Sequence, residues 1–203
     1  MSNNNIETVA LKVDLDKICK GQWFEIARFN SWFEPEETTD AVHTYTKDQD
    51  NHTMMMIKLK HTCKIHGVVH TNNASATVAQ GCMDNSKLDV TFQVWPLSMT
   101  THWNLLELWT YPAEEKNTGK EDSDLYYYYA AVLASSQSKN YIWFLCREPT
   151  ILQPIFDEMS SVAEKNGFDP KRLRKCSHTT TTAAAAAATT AATNADIKHG
   201  LFT

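Results

Sequence analysis

The run Gly21-Gln22-Trp23-Phe24-Glu25-Ile26-Ala27-Arg28-Phe29 carries more information about the fold than any other stretch of the chain. Its aromatic and branched residues favour an extended strand. Gly21, just ahead, permits close backbone approach. Strand alternation puts Trp23, Glu25, Ala27 and Phe29 on one face, which points Glu25 inward. An unpaired carboxylate there is costly, so Glu25 needs either a structural hydrogen-bond partner or the polar head of a ligand.

Beyond this run, residues 20 to 147 read as short β segments between turn-rich stretches. Leu88 to Trp95 is the clearest, with Leu88, Val90, Phe92 and Val94 on one face and Asp89, Thr91 and Gln93 on the other. Met54 to Lys60, His102 to Trp109, Tyr126 to Ala134 and Tyr141 to Arg147 are further strands. One helix follows. Pro154 suits its first position, Asp157 and Glu158 complement its positive start, and Asn166-Gly167 stops it. Ile155, Met159, Val162 and Ala163 recur at helical spacing and form the stripe that packs on the sheet. An all-β domain of seven or eight strands avoids open edges by closing into a barrel, although periodicity alone leaves a β-sandwich open.

With 203 residues and a net charge of −5 spread along the chain, one buried core is expected and nucleic-acid binding is disfavoured. The polar N-terminus lacks the apolar segment of a signal peptide, and no run approaches the ~20 apolar residues of a membrane span. A cytoplasmic protein is the default, with its five cysteines as reduced thiols. From Thr179 to Ala195 the sequence is Thr and Ala with one Asn, and such a segment buries too little to fold. The expected division is an arm over residues 1–14, a domain over 15–176 and a disordered tail over 177–203.

The stretch Leu15 to Phe29, with its Gly21-Gln22-Trp23 core, and the following Trp32-Phe33-Glu34 resemble the first-strand signature of lipocalins. A second match, Asn140 to Ile151, is similar to the last barrel strand of the branch containing bacterial outer-membrane lipocalins, plant temperature-induced lipocalins and apolipoprotein D. Glu158-Met159, Ala163 and Gly167-Phe168-Asp169 fit that branch's helix and exit. The resemblance implies an eight-stranded antiparallel up-and-down β-barrel with a C-terminal α-helix packed outside. It places Trp23 at the closed end beneath Arg147, so that Gly21, Trp23 and Arg147 close the floor by a cation–π contact on the order of 0.5–2 kcal/mol. Three departures stand out: Asp124 is followed by Leu125 and four tyrosines, the loop from Tyr111 to Ser123 is long and charged, and the tail has no counterpart.

An eight-stranded barrel holds one small ligand. The resemblance therefore implies non-catalytic binding and transport of a fatty acid, lysophospholipid, sterol or isoprenoid, in membrane-lipid handling or stress protection. The expected ligand-binding residues are Glu25, Phe29, Met56, Phe92, Val94 and Trp103, with Tyr129 as a polar tip. Trp32 and Phe33 form an apolar lip for ligand entry or transient membrane contact. His61, Cys63, His66 and His70 are the one grouping with metal-ligand chemistry, but no second pair completes a tetrahedral site, so neither metal nor cofactor is expected. No Gly-x-Ser-x-Gly elbow, His-Glu-x-x-His helix or phosphate loop occurs. The alternatives are a thiol-dependent isomerase or oxidoreductase using Cys63 or Cys82, and haem or tetrapyrrole binding through His or Tyr.

Overall fold

The computed structural model describes residues 8–9, 12–31, 33–48, 56–94, 96–112, 126–135 and 139–179. A short helix α1 (Leu15–Ile18) precedes eight long strands: β1 (Gln22–Phe29), β2 (Thr38–Lys47), β3 (Met56–Ile65), β4 (Val68–Val78), β5 (Lys87–Val94), β6 (Leu97–Pro112), β7 (Tyr126–Ser135) and β8 (Ile142–Cys146). Helix α2 (Gln153–Lys165), a 3-10 turn (Pro170–Arg172) and a short β9 (Leu173–Lys175) complete it. Each strand pairs antiparallel with the next, and β1 pairs with both β8 and β2, which closes the eight strands into a barrel. β9 pairs with Ala27 to Phe29, taking the edge of β1 that β2 leaves after Phe24.

All five expected strands are present. β2 and β4 carry no clean apolar alternation. β2 points His43 inward between Ala41 and Tyr45, and the first half of β4, Val68 to Asn73, is exposed throughout. β3 turns into β4 at His66-Gly67, whose φ values of 51° and 78° are those of the type I′ turn that a tight hairpin needs.

Helix α2 lies against the outside of the barrel through Ile155, Met159 and Ala163, as the apolar stripe predicts. Its first turn holds no acidic residue, because Asp157 and Glu158 fall one residue too late. Glu158 instead accepts a hydrogen bond from the Trp109 indole at 2.9 Å, which ties the helix to β6. Asn166 ends the helix and Gly167 takes the left-handed conformation, φ 77°, that the stop requires. Contacts with the barrel continue at residues 178 and 179. His178 lies 2.8 Å from the Glu25 carbonyl, and Thr179 donates to the Asp40 carboxylate. The rest of the Ala/Thr tail lies outside the described residues.

The floor is built from both chain ends of the domain. Asp14 caps α1 by accepting from the Asp16 and Lys17 amides, and α1 crosses the base with Leu15 and Ile18 buried. The Trp23 indole donates to the Ile18 carbonyl at 3.0 Å. The Arg147 guanidinium lies 3.7 Å from the centroid of the Trp23 ring and donates to the carbonyls of Gln22, Lys17 and Tyr128. Gly21 enters β1 with φ 67°, which disfavours any residue bearing a Cβ. One side chain thus joins α1, β1 and β7 across a ring face. Arg147→Ala is expected to lower the unfolding free energy by about 2–4 kcal/mol in urea denaturation, with little recovery in Arg147→Lys, which lacks the planar fork. Unchanged stability in both variants would show that the floor stands without this contact.

Candidate functional site

The interior is shaped by one extra residue. Glu25 pairs with Leu145 but Ala27 pairs with Phe144, so Ile26 is a β-bulge. The bulge reverses alternation. Trp23 and Glu25 face inward as expected, Arg28 joins them, and Ala27 and Phe29 turn outward into the cluster under α2. Phe29 packs against Phe168 and beneath Arg172, away from the barrel interior.

Glu25 is completely buried and meets partners from three directions. Its Oε1 lies 3.3 Å from Arg28 Nη1, and its Oε2 lies 3.2 Å from His43 Nε2. Glu34, 1% exposed, reaches in from the β1–β2 loop. Trp143 Nε1 donates to its Oε2 at 3.0 Å, and His61 Nε2 lies 2.9 Å from its Oε1. The His43 and His61 rings are 4.7 Å apart. Glu25, Glu34, His43 and His61 each bring a donor atom within 4.8 Å of all the others.

Burial and the charge of Glu34 push the Glu25 carboxyl well above its ordinary value, against the pull of Arg28. Burial also raises Glu34, but contact with His61, the charge of His43 and the Trp143 N–H outweigh it and hold Glu34 down to about 2. His43 is lowered to about 3 by burial and then by His61. The pair therefore carries its proton on Glu25 and its charge on Glu34, beside a neutral His43. Tyr45 stacks on His43, and its buried hydroxyl has no hydrogen-bond partner among the described residues.

Toward the floor, an apolar cavity of about 30 Å³ is lined by residues including Leu15, Ile18, Trp23, Leu105, Leu133 and Leu145. That is room for about one water molecule. A chain of aromatic contacts runs from Phe92 through Trp103 and Trp143 to Tyr141 and Phe33, with neighbouring ring centroids 5.0 to 6.2 Å apart.

The expected ligand-binding residues divide. Phe92 and Trp103 belong to the inner cluster. Val94 ends β5 opposite Leu97, so the backbone sets it at the rim. Ile57, adjacent to Met56, is the inner-cluster residue, whereas half-buried Met56 is not in that cluster. Tyr129 packs with the outer cluster, and its neighbour Tyr128 packs with the inner one and accepts from the Asp14 amide. Phe33 sits half-buried on Tyr141, and Trp32 lies outside the described residues.

Of the suggested metal-type grouping, His61 turns to Glu34. Cys63 packs with Ala41 and Cys176, and His66 and His70 are exposed at the hairpin. Burial, then Glu34 and Glu25, push the Cys63 thiol up to about 11, so it is protonated and a weak nucleophile. Cys82 donates to Asp84 Oδ1. Glu34, His43 and Arg28 escaped the sequence reading. A polar residue at an inward position of β2 was a usable signal for His43. The bulge that redirects Arg28 left none.

His43 yields a pH dependence. Unfolded, it takes up a proton below about 6.5; folded, it stays neutral until about 3, so the stability it contributes above 6.5 is lost as pH falls. Glu25 acts oppositely, contributing most below 4.5 and losing it as pH rises. The stability gap between wild type and His43→Gln is expected to narrow by up to about 1 kcal/mol per pH unit between pH 6.5 and 4.5, read from urea unfolding. A constant gap would mean that His43 titrates normally in the fold.

A model of the lipocalin-like domain family matches residues 13–178. Temperature-induced lipocalin-1 of Arabidopsis thaliana is 26% identical over 159 residues, 76% of this chain and 74% of that protein. Among solved structures, insecticyanin from the tobacco hornworm Manduca sexta superposes with a TM-score of 0.59 at 14% identity, covering 88% of this chain and 87% of that one. The cockroach allergen Per a 4 gives 0.55 at 12% identity, covering 86% and 94%. The two structural likenesses bear on the fold alone. With the family match spanning most of the chain, and with the closed barrel, outer helix and Arg147-capped floor in place, the chain belongs to the lipocalin family.

Proposed function

We propose that the protein is a non-catalytic carrier of one small hydrophobic ligand, of the fatty acid, lysophospholipid, sterol or isoprenoid class. Lipocalins typically bind small hydrophobic ligands. The observation that carries the reading is the apolar inner cluster enclosed by a closed barrel with a sealed floor. Burying an acyl chain there contributes about 0.8 kcal/mol per methylene without any reaction.

Binding requires the barrel to make room. Drug-sized ligands occupy ~300 Å³ or more, against the roughly 30 Å³ of the floor cavity. Phe92 and Trp103 are the rings that yield, because Phe92 is only partly buried and contacts Trp103 near the mouth. Leu97 and Met99, 72% and 52% exposed, flank the adjacent rim on β6. They replace Phe33 as the apolar lip for ligand entry and transient membrane contact. No helix among the described residues is long and apolar enough to cross a membrane. A cytoplasmic, membrane-visiting carrier serving lipid handling under stress fits this reading.

A fluorescent polyene fatty acid is expected to bind at one site per chain, and native mass spectrometry followed by organic extraction of purified protein should recover a lipid. Phe92→Asp, which puts a charge on the entry path, should weaken binding roughly tenfold or more. A chain that yields no lipid and binds no probe overturns the proposal, as does binding that Phe92→Asp and Trp103→Ala both leave intact. Cys63→Ser and Cys82→Ser should leave probe affinity unchanged; turnover of a hydrophobic substrate that disappears in them would make the protein a thiol enzyme.

A further inference from the structure

We propose that Glu25, Glu34, His43 and His61 form a buried binding site for one divalent first-row transition ion, zinc(II) foremost, just above the barrel floor. The site is independent of the carrier reading. Its four side chains come from β1, the β1–β2 loop, β2 and β3, and Trp23 of the floor stands opposite His43 in the β1–β2 pair. All four are at most 6% exposed.

The geometry is close to what such an ion takes. Bonds of 2.0–2.2 Å in a tetrahedron put the donor atoms roughly 3.4 Å apart. His61 Nε2 and Glu34 Oε1 are 2.9 Å apart, His43 Nε2 and Glu25 Oε2 are 3.2 Å apart, and the whole set lies within 4.8 Å. Closure needs a contraction of an ångström or so, within side-chain torsions. Two imidazoles and two carboxylates also balance a divalent charge, and they suit borderline ions such as zinc(II) and cobalt(II) better than calcium(II), which takes oxygen ligands.

The outer partners point the same way. Each carboxylate presents one oxygen to the group and has a partner behind the other: the Trp143 indole N–H donates to Glu34 Oε2, and Arg28 Nη1 faces Glu25 Oε1 as an ion pair at 3.3 Å. Arg28 is itself fixed by donating to the Pro35 carbonyl. Second partners of this kind orient ligands and fix which atom meets a metal.

Hydrogen bonds within the protein leave the cluster short. His61 Nε2, for all its closeness to Glu34, is out of hydrogen-bond geometry with it, and His43 Nδ1 and the Tyr45 hydroxyl are buried without partners among the described residues. Buried polar groups are rarely left so. A cation between the carboxylates and imidazoles gives His61 Nε2 a partner and takes the place of the proton that Glu25 and Glu34 otherwise share.

The test uses the full chain, stripped with a chelator and titrated with cobalt(II). The expected result is a saturable visible d–d spectrum at one ion per chain, displaced by zinc(II), with a higher melting temperature in excess zinc(II). Glu34→Gln and His61→Asn should each weaken cobalt(II) at least tenfold, and His102→Ala, in the exposed pair with Asp89, should not. Circular dichroism establishes that each variant is folded. X-ray absorption of the zinc(II) form needs no variant and should show imidazole and carboxylate neighbours without sulfur. The proposal is overturned by the absence of a saturable spectrum, by folded Glu34→Gln and His61→Asn proteins that keep wild-type affinity, or by sulfur at the zinc.

Discussion

The single extra residue at Ile26 is the constraint on which the interior hangs. Before it, β1 sends Trp23 and Glu25 into the barrel; after it, the strand sends Arg28 inward and gives Phe29 to the helix side. Without the bulge Arg28 would face outward, and Glu25 would lose the guanidinium that holds one of its oxygens. The same displacement moves β1 away from β2 after Phe24 and opens the edge that β9 fills. A local irregularity thus decides both the polar centre and the way the C-terminal segment is attached.

Two chemistries share one barrel. The half nearest the floor is apolar and locked from below by α1 and Arg147, whereas the layer above Trp23 gathers carboxylates and imidazoles. Buried charges of this kind rarely add stability compared with apolar packing, and removing one partner is strongly destabilising. Glu34 adds a mechanical side to this. It belongs to the β1–β2 loop, braced by hydrogen bonds between Ser31 and Glu34 in both directions, so the polar layer is tied to that loop.

The residues that close the barrel were readable because their roles are local or carried by motif. Gly21, Trp23, Arg147 and the stripe of α2 stand in the structure where spacing and resemblance put them. Inner-wall residues were readable only where alternation is unbroken, as for Phe92 on β5. Phe29 was misassigned because a bulge shifts parity without a distinctive residue. Tyr129 was misassigned because four consecutive tyrosines hide the register; of the two whose side chains are described, Tyr128 packs with the inner cluster and Tyr129 with the outer. The polar layer was least visible. Its members are 9 to 36 positions apart in sequence, and only strand pairing such as His43 opposite His61 brings them together.

The β3–β4 hairpin has a consequence for how the barrel moves. From Val68 to Asn73 the strand β4 is bonded only to β3, because its pairing with β5 starts at Ala74. Half of its backbone groups in that stretch look onto solvent, and its side chains are exposed. The floor, by contrast, is packed by α1, the Arg147 hydrogen bonds and the buried arm residues Val9 and Val13. Segments with few buried contacts open at little cost while packed ones open only with the whole fold. The barrel is therefore graded along its axis, with its least supported backbone at the β3–β4 rim and its most closely packed segments at the base.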